Sequence, residues 1–179
     1  MRFVLFQPDI APNVGTILRL AACLKVGVDI IEPSGFPWDS KTLRRSAMDY
    51  WDHVKIIRHK SWAEYIKLNP QEINISLKEK SLISVTDKFA YKPKSRLILL
   101  TTRSSKPYFK FEFSPNDRIM VGRESSGVPK EVHNTVDARL TIPINQKCRS
   151  INVAIALAIV AGEAIRQTNL YPRDPYEEI

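Results

Sequence analysis

Short apolar runs alternate along this chain with stretches of helical periodicity. Arg2-Phe3-Val4-Leu5-Phe6 is rich in β-formers and predicts a buried strand. Pro8 and Pro12 bracket a loop, and Asn13 reads as the N-cap of a helix from Val14 to about Lys25, with Ile17, Leu20, Ala21 and Leu24 on one face. Gly27 ends that helix and Val28-Asp29-Ile30-Ile31 is the next strand, which makes a βαβ unit. After a loop from Pro33 to Pro37, Asp39-Ser40 is a cap for a short basic helix around Lys41 to Ala47. A strand Val54-Lys55-Ile56-Ile57 and an amphipathic segment from Ser61 to Leu68 complete another unit, stopped by Asn69-Pro70.

The pattern weakens over residues 71–95. Leu82-Ile83-Ser84-Val85-Thr86 has strand character, but its flanks are lysine-rich, so the stretch reads as an insertion. Arg96 to Leu100, Arg118 to Val121 and Leu140-Thr141-Ile142 are the remaining strands. A last helix from Ser150 to Thr168 is apolar almost all round, as expected of a deeply buried helix or one at a subunit interface. The expected organisation is one α/β domain over residues 1–170, with 71–95 inserted and 171–179 a flexible tail holding Pro172 and Pro175.

Composition changes this picture in three places. At 179 residues and 44% hydrophobic, the chain suits one domain with a substantial core. Its net charge of +8 points to a polyanionic partner, with nucleic acid the first candidate and plain solubility charge the alternative. Two cysteines, Cys23 and Cys148, fit a reducing cytoplasm better than a disulfide framework. No apolar run reaches membrane-spanning length, and Met1-Arg2 leads directly into a strand, leaving no room for a signal peptide.

Several chemistries drop out. The three histidines, His53, His59 and His133, lack metal-ligand spacing, so no metal is expected and each reads as a surface or partly packed side chain. There is no G-x-G-x-x-G after the first strand, no phosphate-binding G-x-x-x-x-G-K-[ST] loop and no G-x-S-x-G elbow. What remains is polar loops beyond strand ends, where parallel sheets bind ligands. They are Asn13 to Arg19, Gly122 to Pro129, and Arg149 to Asn152. Singly each has a bland reading, with Asn13 and Ser150 as caps and Arg19 and Glu124 as solvated charges. Three of the six glycines (Gly15, Gly122, Gly127) nevertheless fall in these loops, where backbone must turn sharply or approach a ligand.

Taken together, Asn13-x-Gly15-x-Ile17-x-Arg19, Gly122-Arg123-Glu124-Ser125-Ser126-Gly127-Val128-Pro129 and Arg149-Ser150-Ile151-Asn152-Val153-Ala154 resemble the three motifs of the SpoU branch of the SPOUT RNA methyltransferases. Ile31 to Asp39 and the Arg44-Arg45…Asp49-Tyr50 signature are similar to the short, single-domain subfamily that methylates the ribose of the tRNA wobble nucleotide, cytidine or 5-carboxymethylaminomethyluridine. The resemblance implies a mainly parallel sheet flanked by helices, with a C-terminal trefoil knot, and a homodimer whose sites are completed by the partner chain. It also implies S-adenosylmethionine held by Leu100, Gly122, Ile142 and Ser150. Arg19 would be the central catalytic residue, oriented by Asn13, Glu124 and Asn152, with no metal. Lys41, Arg44 and Arg45 would contact tRNA phosphates, and Tyr50, Trp51 and Trp38 are candidates for stacking on anticodon bases, beside a reading as ordinary core. Rival readings are ribose methylation at another tRNA or rRNA position, and an RNA-binding protein that has lost catalysis. Methylation of guanine N1 fits less well, because the arginine and the third-motif asparagine point to ribose chemistry. Gly162 departs from the family pattern, which carries a tyrosine before the Glu163-Ala164 pair, and a helical glycine costs about 1 kcal/mol relative to alanine.

Overall fold

The computed structural model describes residues 1–38, 41–68 and 95–172. The Asp39-Ser40 cap, the Asn69-Pro70 stop, the Leu82 to Thr86 run, nearly all of the expected insertion and the tail beyond Pro172 lie outside the described residues. Six strands form the sheet: β1 (Arg2–Phe6), β2 (Gly27–Ile31), β3 (Ile56–His59), β4 (Leu97–Leu100), β5 (Arg118–Val121) and β6 (Ala138–Leu140). Their order is β3-β2-β1-β5-β4-β6, and every neighbouring pair is parallel. The chain therefore builds outward from β1 in one direction and fills the other side with its second half. That places a topological switch between β1 and β5, where a crevice opens beyond the carboxyl ends.

Strand alternation divides the core into two layers. Phe3, Leu5, Val28, Ile30, Ile98, Ile119 and Val121 pack with α1 (Ala11–Cys23), α2 (Lys41–Ala47) and α5 (Val153–Thr168). Val4, Phe6, Ile31, Leu97, Leu99 and Met120 pack with Tyr65 of α3 (Trp62–Leu68) and Val132 of α4 (Lys130–Thr135). A Cβ on Gly15 would collide with Ser46, so the bare glycine sets how closely α1 approaches α2.

Several boundaries move from their expected places. Helix α1 begins at Ala11 with Ile10 as its N-cap, because Pro12 falls in the first turn, where a missing N–H costs nothing. Asn13 is therefore inside the helix and its side chain is released from capping. Gly27 opens β2, and the helix ends instead at Cys23, with Leu24 as its C-cap and Lys25 at φ 52°. Strand β3 runs two residues later than its pattern suggests. Strand β6 stops at Leu140, because Thr141 pairs with another segment: its N–H donates to the Lys106 carbonyl (2.9 Å) and its carbonyl accepts from Tyr108 (3.0 Å). Helix α5 starts at Val153, not Ser150, since Asn152 Oδ1 accepts from the backbone N–H of Ala154 (2.9 Å) and Ile155 (3.3 Å). The six-residue α4 and a 3-10 turn over Met48–His53 carry too few periods to be read from sequence.

The expectation that α5 is apolar all round resolves into two faces. Leu157, Val160, Ala161, Ala164 and Ile165 are buried, whereas Ile155 (55%) and Ile159 (36%) are exposed. Gly162 lies on the open side, with no atom within 4 Å of where a Cβ would stand. No helix among the described residues is long and apolar enough to cross a membrane.

Candidate active site

The β1–α1 loop, the β5–α4 loop and the start of α5 meet beyond the switch point. Asn13, freed from capping, donates through Nδ2 to Glu124 Oε2, and Asn152 Nδ2 donates to Asn13 Oδ1 at 3.0 Å. One asparagine thus links the other two residues, and Asn152 simultaneously caps α5. Three side chains expected to orient an arginine are bonded to one another.

Arg19 stands elsewhere. Six residues along an α-helix place it about 9 Å up the axis and about 120° around from Asn13. Its guanidinium lies 5.3 Å from the centroid of Tyr50, a cation–π arrangement, and the side chain is exposed. The expected reach of Arg19 back to the cluster is therefore replaced by a seat on Tyr50.

The Gly122 to Pro129 loop folds tightly on itself. Arg123 and Gly127 exchange backbone hydrogen bonds of 2.9 and 2.8 Å, with Gly127 at φ 70°. A Cβ on Gly122 would stand 2.6 Å from the Gly127 carbonyl carbon, so this position must be bare for the loop to close. Asp9, unnoticed in the sequence, ties the loop to β1–α1. It accepts from the backbone of Glu124 (3.0 Å) and of Ser125 (3.2 Å) and from the Ser125 hydroxyl, with Arg123 Nε 3.7 Å away. Burial alone would raise the Asp9 pKa, but these hydrogen bonds hold it below its ordinary value. Glu124 is pushed the other way, first by desolvation and then by the charge of Asp9.

Beside this cluster lies a cleft of about 370 Å³, within the range of small-molecule sites. Leu100, Gly122, Ile142 and Ser150, the four expected cofactor residues, all line it, as does Glu124. His133 also faces the cleft, and its Nε2, shut off from solvent, has no hydrogen-bond partner among the described residues. Nothing in the spacing of the histidines signals this. Lys41, Arg44 and Arg45 are exposed on α2, apart from the cleft lining.

The model of the SpoU rRNA Methylase family matches residues 1–99 and 83–162. A tRNA (cytidine(34)-2'-O)-methyltransferase from Beijerinckia indica subsp. indica is 44% identical over 163 residues, 91% of this chain and 89% of the relative. A solved structure described as giving insights into the 2-OH methylation of C/U34 on tRNA superposes with a TM-score of 0.77 at 31% identity, over 93% of this chain and 94% of that one. The SpoU methyltransferase AviRb from Streptomyces viridochromogenes, solved with AdoMet, shares the fold at a TM-score of 0.74 and 21% identity, over 93% of this chain and 60% of its own. The chain, with its parallel sheet, its closed glycine loop and its Asn13–Glu124–Asn152 cluster, belongs to the SpoU methylase family.

Proposed function

We propose that this protein transfers a methyl group from S-adenosylmethionine to the ribose 2′-hydroxyl of the tRNA wobble nucleotide, cytidine or a modified uridine at position 34. The observation that carries this reading is the Asn13–Glu124–Asn152 cluster at the edge of a cleft lined by Leu100, Gly122, Ile142 and Ser150. Near full-length similarity to tRNA (cytidine(34)-2'-O)-methyltransferases supports the substrate.

The cleft fits the cofactor. Leu100, Val121, Leu140 and Ile142 offer apolar walls to an adenine, Gly122 lets the loop close against Gly127 along the cleft wall, and His133 Nε2 is a polar atom in need of a partner. When bound, S-adenosylmethionine supplies a methyl on a sulfonium already activated for attack. A 2′-hydroxyl is a weak nucleophile, so the chain must align it and stabilise the charge that develops on its oxygen as its proton passes to water and the methyl leaves the sulfonium. Asn13, Glu124 and Asn152 orient the ribose by exchanging part of their mutual hydrogen bonding for its hydroxyls. Arg19, permanently charged, holds an RNA phosphate and stabilises developing alkoxide. Lys41, Arg44 and Arg45 hold further phosphates, which makes binding salt-dependent.

The exposed Ile155 and Ile159 on α5 support a homodimer through this face, with Gly162 allowing close helix approach. The separation of Arg19 from the cluster within one chain supports sites completed by a second copy. The trefoil knot comes with the family, and the cytoplasm is where a tRNA substrate is met.

The test is methyl transfer from labelled cofactor to tRNA, with nuclease mapping of the product, for wild type and Arg19→Ala. Label at position 34 that disappears in the variant is the expected result. Wild type that labels no tRNA overturns the function, and full activity in Arg19→Ala overturns the mechanism.

A further inference from the structure

A second cavity, of about 390 Å³, lies away from the cofactor cleft and is lined by Trp38, Arg44, Met48, Trp51 and Asp52. Its lining combines flat apolar surface with charges of both signs. Trp38 and Trp51 meet edge to face, with centroids 6.0 Å apart and planes at 69°. Both rings also pack on the core, which accounts for part of their surface but not for the space beside them. The Trp38 indole Nε1–H is shut off from solvent and has no acceptor among the described residues, although a buried indole N–H ordinarily finds one. Met48 is 55% exposed at the rim, and its backbone holds φ 54°, a left-handed conformation that non-glycine residues adopt only where the surroundings impose it.

The position of this cavity is as informative as its lining. Met48, Trp51 and Asp52 belong to the 3-10 turn Met48–His53, and Tyr50, between Met48 and Trp51, is the residue on which Arg19 sits. One short turn therefore seats the methylation arginine on Tyr50 and supplies three of the five residues that line the cavity. The basic helix α2, with exposed Lys41, Arg44 and Arg45, leads directly into that turn.

Resting on the reading of an RNA ribose methyltransferase, we propose that this cavity holds one unstacked nucleobase of the anticodon loop. A base has a π-face for Trp51 and for the thioether of Met48, and an edge bearing both donors and acceptors. Asp52 accepts from such an edge, while Arg44 donates to it or to the adjoining phosphate. Seating a base here pulls its nucleotide out of the loop stack, which presents a ribose to the Arg19 side of the same turn. Charge also favours this occupant: a chain of net charge +8 with a basic helix at the rim attracts a polyanion, not an apolar peptide.

The test is a set of cycles between protein and RNA. Equilibrium binding is measured for synthetic anticodon stem-loops, each abasic at one loop position, against wild type, Trp51→Ala, Trp51→Phe and Met48→Ala. For wild type, one abasic position weakens binding by about tenfold, the scale of one base–aromatic stack. That penalty persists in Trp51→Phe, shrinks in Met48→Ala and vanishes in Trp51→Ala. Cofactor affinity, measured in parallel, stays at the wild-type value in each and reports that the fold is intact. If Trp51→Ala fails to fold, the exposed Met48 variant carries the cycle alone. Abasic penalties equal in wild type and variants, or no abasic position that matters, overturn the proposal. Methylation of intact tRNA by the same wild-type sample separates the cases: activity with additive cycles removes the base pocket alone, and no activity removes the function on which it rests.

Discussion

Two polar clusters use the same sheet in opposite ways. Against α3, Asp29 (3% exposed), His59 (3%) and Arg118 (4%) are sealed from water. Arg2 forks onto Asp29 with bonds of 2.6 and 3.0 Å, His59 Nε2 lies 3.1 Å from Oδ1, the oxygen that also accepts from Arg2 Nη2, and Arg118 donates to the Tyr65 hydroxyl at 3.0 Å. Beyond the carboxyl ends, Asn13, Glu124 and Asn152 also bond to one another, but Glu124 and Asn152 are open to solvent. The chemistry of the groups is similar and the difference is access. A sealed group that loses its partner has nothing to replace it, so the first cluster reports on folding. A group at a cleft mouth can exchange its partner for a substrate, so the second reports on catalysis.

The comparison breaks if the sealed cluster is energetically idle. Asp29→Ala strips His59 Nε2 of its partner and leaves Arg2 only the Val28 carbonyl, at 3.2 Å. With Arg2 26% exposed and so partly rescued by water, a loss of about 3 kcal/mol is expected, at the low end for breaking a buried pair. Urea unfolding measures it, and a change below about 1 kcal/mol, the scale of a surface pair, would sink the distinction. A next, smaller effect is expected on the open side from Gly122→Ala. The added methyl must displace Gly127 backbone 2.6–2.9 Å away, at about 1–3 kcal/mol for forced overpacking. Because the strain falls on the cleft wall, cofactor affinity should drop about ten- to a hundredfold, and the loss of stability on urea unfolding should stay within about 1–3 kcal/mol.

Asn152 straddles the two behaviours and so sharpens them. Its Oδ1 caps α5 and its Nδ2 holds Asn13. Asn152→Ala should cost about 1 kcal/mol of stability through the cap, together with most of the methyl transfer. Asn152→Asp retains the accepting oxygens and loses the donor. Stability should return and activity should not; recovery of both would mean that the cap is all Asn152 provides.

How much of this could be read from the chain follows from the same division. The strands stood out because continuous apolar runs at fixed spacing have few alternatives, and the polar loops beyond them marked the ligand end of the sheet. Helix starts misled, because Asn13 and Ser150 are acceptable caps by residue type, while Pro12 and Asn152 decided the outcome by geometry. The Asn13–Glu124 and Asn13–Asn152 bonds join residues 111 and 139 positions apart, which no local period encodes. Asp9 is a lone carboxylate in a loop, and only the folded loop shows it receiving three donors. Tyr50 has a contact that its residue type did not announce. The arginine that the motifs single out sits over its ring, and Met48 and Trp51 of the same turn border the open space nearby.

The smallest expected effect concerns the coupling of Asp9 to Glu124, and its sign is fixed by the geometry. Asp9 is held below its ordinary pKa, so the stability it lends the glycine loop is present above that ordinary value and is lost as pH falls through its depressed one. Glu124 is held above its ordinary value, first by burial and then by the negative charge of Asp9. Its neutral form is therefore the one that the fold favours, and any contribution to stability fades as pH rises through the raised pKa. If methyl transfer needs Glu124 ionised to hold Asn13, the acidic limb of the rate profile follows Glu124. Asp9→Asn keeps an accepting oxygen for the loop and removes the charge. The limb should then shift to lower pH as Glu124 relaxes toward its ordinary value, while the acid side of the stability profile flattens because the depressed carboxylate is gone. A limb that stays in place, or moves upward, would show that Asp9 acts on the loop backbone alone and not through the charge of Glu124.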